Sequence, residues 1–263
     1  MSPRGVQVNG RDILLFKGLQ KFGFLNAKSI ASLYFPNASR SAVSRRLKKL
    51  FDWKLLNRAV PDGGSEYFYF ATERVRTFLE NDRPLKRFYG RHLLHDVGLA
   101  YSMLHLRREY PAAEMFFETD LGFLKSGDNQ VLKEYRGKQR ELDWQFRPDG
   151  AILLQDRALY FVEYDRSTEW GLKLYQKLQT YLEYFRGNGF NRDFQTELKR
   201  FRVLMLCLGL ERIDSIMKIY RNDVALDLFV FATQAEFLES GLPLHAEVWS
   251  HVQRSGKFAL GRR

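Results

Sequence analysis

The spacing of hydrophobic positions changes along this chain and predicts a helical beginning followed by a strand-rich remainder. In the first fifty residues, apolar side chains recur three or four positions apart, which is typical of amphipathic helices. This spacing predicts helices over Asp12–Phe22, over Ala27–Tyr34, and from Ser39 or Ser41 to about Phe51. Asn26 suits the N-cap of the second helix, because its side chain can accept a hydrogen bond from the first turn.

A β-hairpin is predicted after these helices. The runs Leu55–Val60 and Tyr67–Phe70 flank Pro61–Gly64, which has the composition of a tight turn. Two helices, a basic helix and a hairpin, in that order, are the winged-helix arrangement. We therefore predict a winged-helix DNA-binding domain over residues 1–82, with Asn81–Pro84 as the linker that follows it.

Residues 83–263 are predicted to form a second domain. Its first elements are a long helix over Phe88–Tyr110 and a strand over Glu114–Thr119. The segment Leu124–Arg140 is rich in glycine and charge and is predicted to be a loop.

A second hairpin is predicted from the apolar runs Ala151–Leu154 and Ala158–Val162, which a polar turn separates. A helix over Thr168–Phe185 follows. The last elements are a fully apolar strand, a helix and a further strand, and these cover Phe201–Leu208, Ile213–Arg221 and Leu226–Ala232.

Three carboxylates are predicted to meet at one end of this second hairpin. Asp149 begins its first strand, while Glu163 and Asp165 end its second, and antiparallel pairing brings those ends together. Glu163 and Asp165 are two positions apart and share one face of the strand. Acidic groups this close repel each other, so a hard divalent cation such as Mg²⁺ is expected between them. The following helix carries Lys173 and Lys177 on one face, and one of them can point back over the acids.

These residues resemble the PD-(D/E)xK nuclease superfamily. The Pro-Asp pair stands as Pro148-Asp149, and the Glu-x-Lys element stands as Glu163-Tyr164-Asp165, with Asp165 where the lysine is expected. Lys177, four residues before Tyr181, resembles the lysine that several branches carry on the following helix. More narrowly, the RPDG and FVEYDRST segments and the K-x-x-x-Y helix are similar to the replication-relaxation family, which includes the MobC-type plasmid relaxases.

The resemblance implies both a fold and an activity. The expected fold is mixed α/β (α+β), with an N-terminal winged helix and then a restriction-endonuclease-like αβββαβ core over residues 83–263, which agrees with the predicted element order. The implied activity is metal-dependent nicking of DNA at a plasmid origin of transfer or replication. Asp149 and Glu163 would hold Mg²⁺ or Mn²⁺, and Asp165 and Lys177 would complete the catalytic site. Relaxosome accessory proteins and a coupling ATPase are the implied protein partners.

Charge supports double-stranded DNA as the partner. The formal net charge is +11, and the first fifty residues contain ten Lys or Arg against the single acid Asp12. A balance of this kind favours a polyanion. The polar face of the third helix supplies the candidate DNA-binding residues, which are Arg40, Ser44, Arg45, Arg46, Lys48 and Lys49.

Composition sets further expectations. Cys207 is the only cysteine, which suits a reducing cytoplasm, and its apolar neighbours predict a buried structural thiol. The N-terminus lacks the apolar run of a signal peptide, and no apolar run approaches eighteen residues, so we expect a cytoplasmic protein without membrane association. The phosphate-loop, dinucleotide-binding and nucleophile-elbow motifs are missing from the sequence, which leaves those enzyme classes without support.

Two alternatives to nicking stay open. The acid at Asp165 removes the usual lysine, so the chain can be a non-catalytic DNA-binding regulator or replication accessory factor on a nuclease scaffold. Asp149 and Glu163 can instead be ion-pair partners of Arg147 and Arg166. Whether water or a tyrosine attacks the phosphate is open as well, since spacing singles out none of the thirteen tyrosines.

Overall fold

The structure is a computed structural model of the chain, which folds into two compact units, residues 1–101 and 102–263. The division falls within the long helix at Leu93–Glu109. The predicted linker Asn81–Pro84 lies outside the described residues, and a domain boundary at residue 82 stays a prediction. The structure describes residues 7–61, 63–80, 85, 92–121, 124–125, 132–135, 138–141, 145–155, 158–167, 171–252 and 254–260.

The first unit contains three α-helices and a small three-stranded sheet. The three helices predicted from the sequence are confirmed, and a short 3-10 helix over Glu73–Phe78 follows the sheet. The elements are α1 (Gly10–Phe22), β1 (Leu25–Asn26), α2 (Ala27–Tyr34), α3 (Arg40–Asp52), β2 (Leu56–Ala59) and β3 (Phe68–Ala71). Strand β3 lies in the middle and pairs antiparallel with β1 and β2, which confirms the first predicted hairpin.

Side-chain caps fix where these helices begin. Asn26 accepts a hydrogen bond from the backbone N–H of Ser29, as its predicted N-cap role requires, and Ser39 caps α3 in the same way. Asn9 and Asp12 form a reciprocal capping box at the start of α1. The apolar faces then pack inward, with buried side chains at Leu15, Phe16, Ile30, Val43, Leu47 and Leu50.

The second unit is built on a seven-stranded mixed sheet. The division places residues 102–109 of the long helix α4 (Leu93–Glu109) in this unit. The helices that follow in this unit are α5 (Glu118–Leu121), α6 (Leu172–Arg186), α7 (Gly189–Phe194), α8 (Leu210–Ile219) and α9 (Gln234–Glu239). Its strands are β4 (Glu114–Phe117), β5 (Leu124–Lys125), β6 (Leu132–Tyr135), β7 (Lys138–Glu141), β8 (Gln145–Phe146), β9 (Gly150–Leu154), β10 (Ala158–Asp165), β11 (Phe201–Cys207), β12 (Phe229–Thr233), β13 (Trp249–His251) and β14 (Arg254–Phe258).

The sheet order is β14-β13-β12-β11-β10-β9-β4. Strands β10, β11 and β12 run parallel, while β9 and β4 extend the sheet antiparallel on one side and β13 and β14 do so on the other. The β9–β10 pairing confirms the second predicted hairpin. The protein therefore has the predicted mixed α/β fold, and the order α4, β4, β9, β10, α6, β11 is compatible with the αβββαβ core.

The predicted loop over Leu124–Arg140 is wrong for most of its described residues. Short strands β5 and β6 lie in this segment, and so does most of β7. Strand β5 pairs with β8, and β6 pairs with β7. Hydrogen bonds between the strands therefore satisfy backbone N–H and C=O groups that would be bonded to water in a loop. The charged, glycine-containing composition concealed these strands, since two-stranded ladders need no apolar face.

One face of the sheet is covered by α6 and α8. Phe161, Val203 and Phe229 are fully buried there against Leu178 and Ile213. Cys207 is buried in the same cluster, as predicted. Side chains alternate along a strand, so Glu163 and Asp165 continue the Phe161 face of β10 and point toward the α6 and α8 side. None of the described helices has the length and apolar character needed to cross a membrane.

Candidate functional site

The β9–β10 hairpin places Asp149 and Glu163 across from each other. The ladder pairs Gly150 with Val162, and one step further along both strands brings Asp149 opposite Glu163. Asp149 Oδ2 accepts a hydrogen bond of 2.9 Å from the backbone N–H of Tyr164, and Asp149 O accepts one of 3.2 Å from Glu118 N. The predicted convergence of these two acids is therefore confirmed, and Asp149 is held from both sides, by β10 and by the residue that follows β4.

Gly150 allows close packing immediately after Asp149. A Cβ atom at this position would lie 2.9 Å from Met103 Cε and 3.2 Å from the carbonyl oxygen of Phe116. The missing side chain lets β4 and Met103 approach the strand start closely. The glycine of the Pro-Asp-Gly sequence therefore has a packing role beside the acid.

Helix α6 supplies the partners of Glu163. Lys177 Nζ lies 3.0 Å from Glu163 Oε2, and the Tyr181 hydroxyl donates to Glu163 Oε1 at 2.5 Å. Lys177 and Tyr181 are four residues apart, so one face of α6 presents both groups to one carboxylate. Glu163 is 2% exposed, whereas the Lys177 side chain keeps 28% of its surface accessible. The ammonium group therefore lies between the buried acid and the solvent.

Burial dominates the electrostatics of Glu163. It raises the pKa of this carboxyl to about 7, since a charged form is poorly solvated in the interior. Lys177 opposes that shift, the negative charge of Asp149 adds to it, and the Tyr181 hydrogen bond again opposes it. Burial and the neighbouring Glu163 raise the pKa of Tyr181 well above its usual value.

The donor set of this site meets the needs of Mg²⁺ or Mn²⁺ only in part. The described residues contain no group of three His, Cys, Asp or Glu side chains that could hold a metal. Asp149 and Glu163 offer two carboxylates, and Mg²⁺ is commonly held by one or two carboxylates together with substrate phosphate oxygens and water. Each carboxylate oxygen can accept more than one partner, so the hydrogen bonds from Lys177 and Tyr181 leave acceptor capacity on Glu163. The pair would therefore supply only part of the ligands of a hard cation, with phosphate oxygens and water as the remainder.

Asp165 has a different environment from the other two acids. It forms an ion pair with Arg212 on α8, and both side chains are buried, at 8% and 5% exposure. Its second oxygen accepts a 2.9 Å hydrogen bond from Ser167 N. Sequence spacing correctly placed Asp165 on the Glu163 face, but it gave no sign of Arg212, which lies 47 residues away.

The predicted basic face of α3 is largely exposed. Arg40, Ser44 and Arg45 are solvent-accessible, and so are Lys48 and Lys49. Lys48 makes a surface ion pair of 2.7 Å with Asp52 one turn further on. A surface pair of this kind contributes little to stability and can exchange for a phosphate.

Arg46 differs from the other candidate DNA-binding residues. It forms an ion pair with the fully buried Asp12 of α1, and its guanidinium also donates to the carbonyl oxygen of Gln7 at 2.8 Å. Its side chain is 18% exposed. The structure thus gives Arg46 a role in joining α1 to α3.

Sequence reasoning missed Arg58 on the hairpin. Its guanidinium carbon lies 4.7 Å from the Phe51 ring centre and 4.1 Å from that of Tyr67. Lys49 Nζ similarly lies 4.7 Å from the ring centre of Trp53. Stacking on aromatic rings holds a cation in place without neutralising its charge. The signal available in the sequence was an arginine facing an aromatic residue across the predicted hairpin.

The fold and these residues define a mixed α/β protein with an acidic site in one unit and a basic helix in the other. Residues 16–197 match the replication-relaxation family, and they span most of the 263-residue chain. The chain belongs to the replication-relaxation family, as its RPDG and FVEYDRST segments and its K-x-x-x-Y helix predicted. The comparisons with curated proteins and with solved structures found no match.

Proposed function

We propose that this protein binds duplex DNA and nicks one strand with the help of Mg²⁺ or Mn²⁺ in plasmid mobilisation or replication. One observation carries the proposal: Asp149, the residue before β9, accepts a hydrogen bond from Tyr164 N beside Glu163, and the Lys177 ammonium lies 3.0 Å from Glu163. Two carboxylates and a lysine ammonium therefore lie together at one end of the β9–β10 hairpin. Metal-dependent phosphodiester cleavage uses groups of this kind. Family membership supports the setting at a plasmid origin of transfer or replication.

Each of these residues would have a distinct task. Asp149 and Glu163 would hold the cation, which supplies polarisation of the phosphate and activation of the attacking oxygen. Lys177 would stabilise charge that develops on the phosphate, because its partly exposed ammonium lies on the solvent side of Glu163. Tyr181 would orient the Glu163 carboxylate through its 2.5 Å hydrogen bond.

Asp165 is given a supporting task in this proposal. Its ion pair with Arg212 fixes the end of β10 against α8, two residues from Glu163. Position 165 corresponds to the lysine of the nuclease motif, and Lys177 on α6 supplies the positive charge in its place.

Duplex binding is assigned to α3 and to the β2–β3 hairpin. Arg45 and Lys49 would contact phosphates along the major groove, and Arg58 would contact the backbone or the minor groove. Relaxosome accessory proteins and a coupling ATPase are proposed partners, and they follow from the resemblance to plasmid relaxases.

Replacing Arg45 and Lys49 together by alanine should weaken duplex binding and reduce its salt dependence. Each phosphate contact contributes about 0.9 to the slope of log K against log salt, so two contacts should lower the slope by about 2. Fluorescence anisotropy with a labelled duplex at several salt concentrations measures this slope. A double variant of the exposed Arg107 and Lys218 removes the same charge elsewhere and should leave the slope nearly unchanged. Equal slopes for wild type and the Arg45/Lys49 variant would show that α3 is not part of the DNA-binding surface.

Nicking should decline as pH falls through about 7. The pKa of Glu163 is raised to about 7, so the carboxylate that would hold the cation is protonated below this pH. Initial rates on supercoiled plasmid between pH 5.5 and 8.5, at one fixed Mg²⁺ concentration below saturation, test this dependence. Cation binding opposes protonation, so raising Mg²⁺ should move the midpoint to lower pH. A nicking rate that does not change across this pH range would show that protonation of Glu163 does not affect the rate-determining step.

A second candidate function is a non-catalytic DNA binder that regulates or assists plasmid replication. The observation that favours it is that these acids already have partners within the protein: Glu163 is bonded to Lys177 and Tyr181, and Asp165 to Arg212. Duplex binding without metal-dependent nicking, on a range of plasmid origins, would make this the better assignment.

A further inference from the structure

An open cavity lies at the opposite end of the β10 and β11 strands from the acidic site. Its volume is about 450 Å³, which is within the usual range for small-ligand pockets. Tyr160 lines it, three residues before Glu163 in the same strand, or about 10 Å along the strand. An odd separation puts the two side chains on opposite faces of the sheet. The cavity is therefore separate from the Asp149–Glu163 site.

Positive and hydrogen-bonding groups contribute to the lining of this cavity. Arg202 faces Tyr160 directly across the β10–β11 ladder, Arg200 lies just before β11, and His251 comes from β13. None of the described lining residues is acidic. Burial raises the pKa of Tyr160, while the positive charges of Arg202 and Arg200 act to lower it. These groups favour an anion.

The backbone holds two of these side chains in place. Arg202 donates to the carbonyl oxygen of Asp227, and a ring nitrogen of His251 lies 3.4 Å from the same oxygen. His251 is 7% exposed, whereas Arg200 is exposed at the mouth of the cavity. A fixed guanidinium beside an accessible one is well suited to gripping a phosphate, since arginine offers paired donors in a plane.

Apolar groups also line the cavity. Phe258 and Leu260 contribute half-buried side chains at the end of the chain segment that follows β13, and the Phe258 ring packs edge-on against His251 with centres 6.4 Å apart. A lone phosphate would leave this wall unused, whereas a nucleobase stacks on aromatic rings with little regard to sequence.

We propose that this cavity binds a nucleotide, with the phosphate against Arg200 and Arg202 and the base against Phe258 and Leu260. The ligand is either a free mononucleotide or the terminal nucleotide of a single strand, since both present the same phosphate and base. This site lies beyond the proposed nicking function and does not depend on it.

Calorimetric titration of the full chain tests the proposal with three small probes: thymidine 5′-monophosphate, thymidine and inorganic phosphate. Mononucleotides cannot span α3 and the hairpin, so duplex binding does not interfere. Thymidine 5′-monophosphate should bind most tightly. Arg200→Ala should weaken it at least about tenfold, because it removes a charge-assisted contact. Phe258→Leu should weaken it about fivefold or more and leave phosphate binding unchanged.

The control is Arg107→Ala, which removes an exposed arginine from another part of the unit and should change binding less than about twofold. Equal binding of thymidine and its monophosphate, or equal binding by wild type and Arg200→Ala, would overturn the anion site. Phosphate binding as tightly as the nucleotide would overturn the base contact. A 5′-phosphorylated tetrathymidylate that binds at least about tenfold tighter than the mononucleotide identifies a strand end as the ligand, and equal affinities identify a free nucleotide.

Discussion

Asp149→Asn is expected to lower the rate of metal-dependent plasmid nicking about a thousandfold, while leaving duplex affinity nearly unchanged. Loss of a cation ligand removes stabilisation of several kcal/mol from the transition state, and about 4 kcal/mol corresponds to a thousandfold in rate. Asparagine keeps an oxygen that can accept the hydrogen bond from Tyr164 N, so the hairpin should remain intact. Conversion of supercoiled to open-circular plasmid, followed over time with Mg²⁺ or Mn²⁺, measures the effect.

Matched variants separate chemistry from folding in this experiment. Lys177→Ala should also be strongly impaired, whereas Lys173→Ala on the exposed first turn of α6 should be nearly unaffected. Asp214→Asn, an exposed acid on α8, controls for the loss of one negative charge. Full nicking by Asp149→Asn would contradict the assignment, and unfolding of this variant would show that the acid is structural. A denaturing gel of the nicked product shows whether protein is covalently attached, which distinguishes a tyrosine nucleophile from water.

Arg212→Leu is expected to lower the free energy of unfolding by about 3–5 kcal/mol, since it leaves a buried carboxylate without its countercharge. Asp165 and Arg212 are both buried and lie on different elements, β10 and α8. Urea denaturation followed by circular dichroism gives the value, provided that the transition is two-state.

The double variant Arg212→Leu/Asp165→Asn should recover most of this loss. Asparagine carries no charge, yet it keeps an acceptor for the hydrogen bond from Ser167 N. With the wild type and the single variant Asp165→Asn, these two variants form a double-mutant cycle, and additive single effects would show that the pair does not interact. If the stable double variant nicks DNA at the wild-type rate, Asp165 is not a catalytic residue. If the double variant is folded but inactive, Asp165 takes part in catalysis.

Local sequence determined many of the elements of this protein and the end of the hairpin at which Asp149 and Glu163 meet. Helix α2 covers the residues that hydrophobic spacing predicted, and Asn26 caps it, because both signals act within one or two helical turns. The antiparallel hairpin likewise follows from two apolar runs and a polar turn, and it places Asp149 opposite Glu163. Strand alternation was sufficient to put Asp165 on the Glu163 face.

The pattern of apolar residues in the sequence could not reveal strands that lack an apolar face. Strands β6 and β7 pair with each other in a segment whose charge predicted a loop. Their ladder is stabilised by backbone hydrogen bonds, which leave no hydrophobic period in the sequence.

The tertiary structure decided which charged side chains are available and which are already paired. Arg45 and Arg46 are adjacent in a helix and equivalent by composition, yet Arg45 is exposed while Arg46 is bound to the buried Asp12, 34 residues earlier. Asp165 and Arg212 meet in the same way across 47 residues. Hydrophobic periodicity reports which face of an element is buried, but a buried ion pair depends on how two distant elements pack, and only their packing gives each charge its partner.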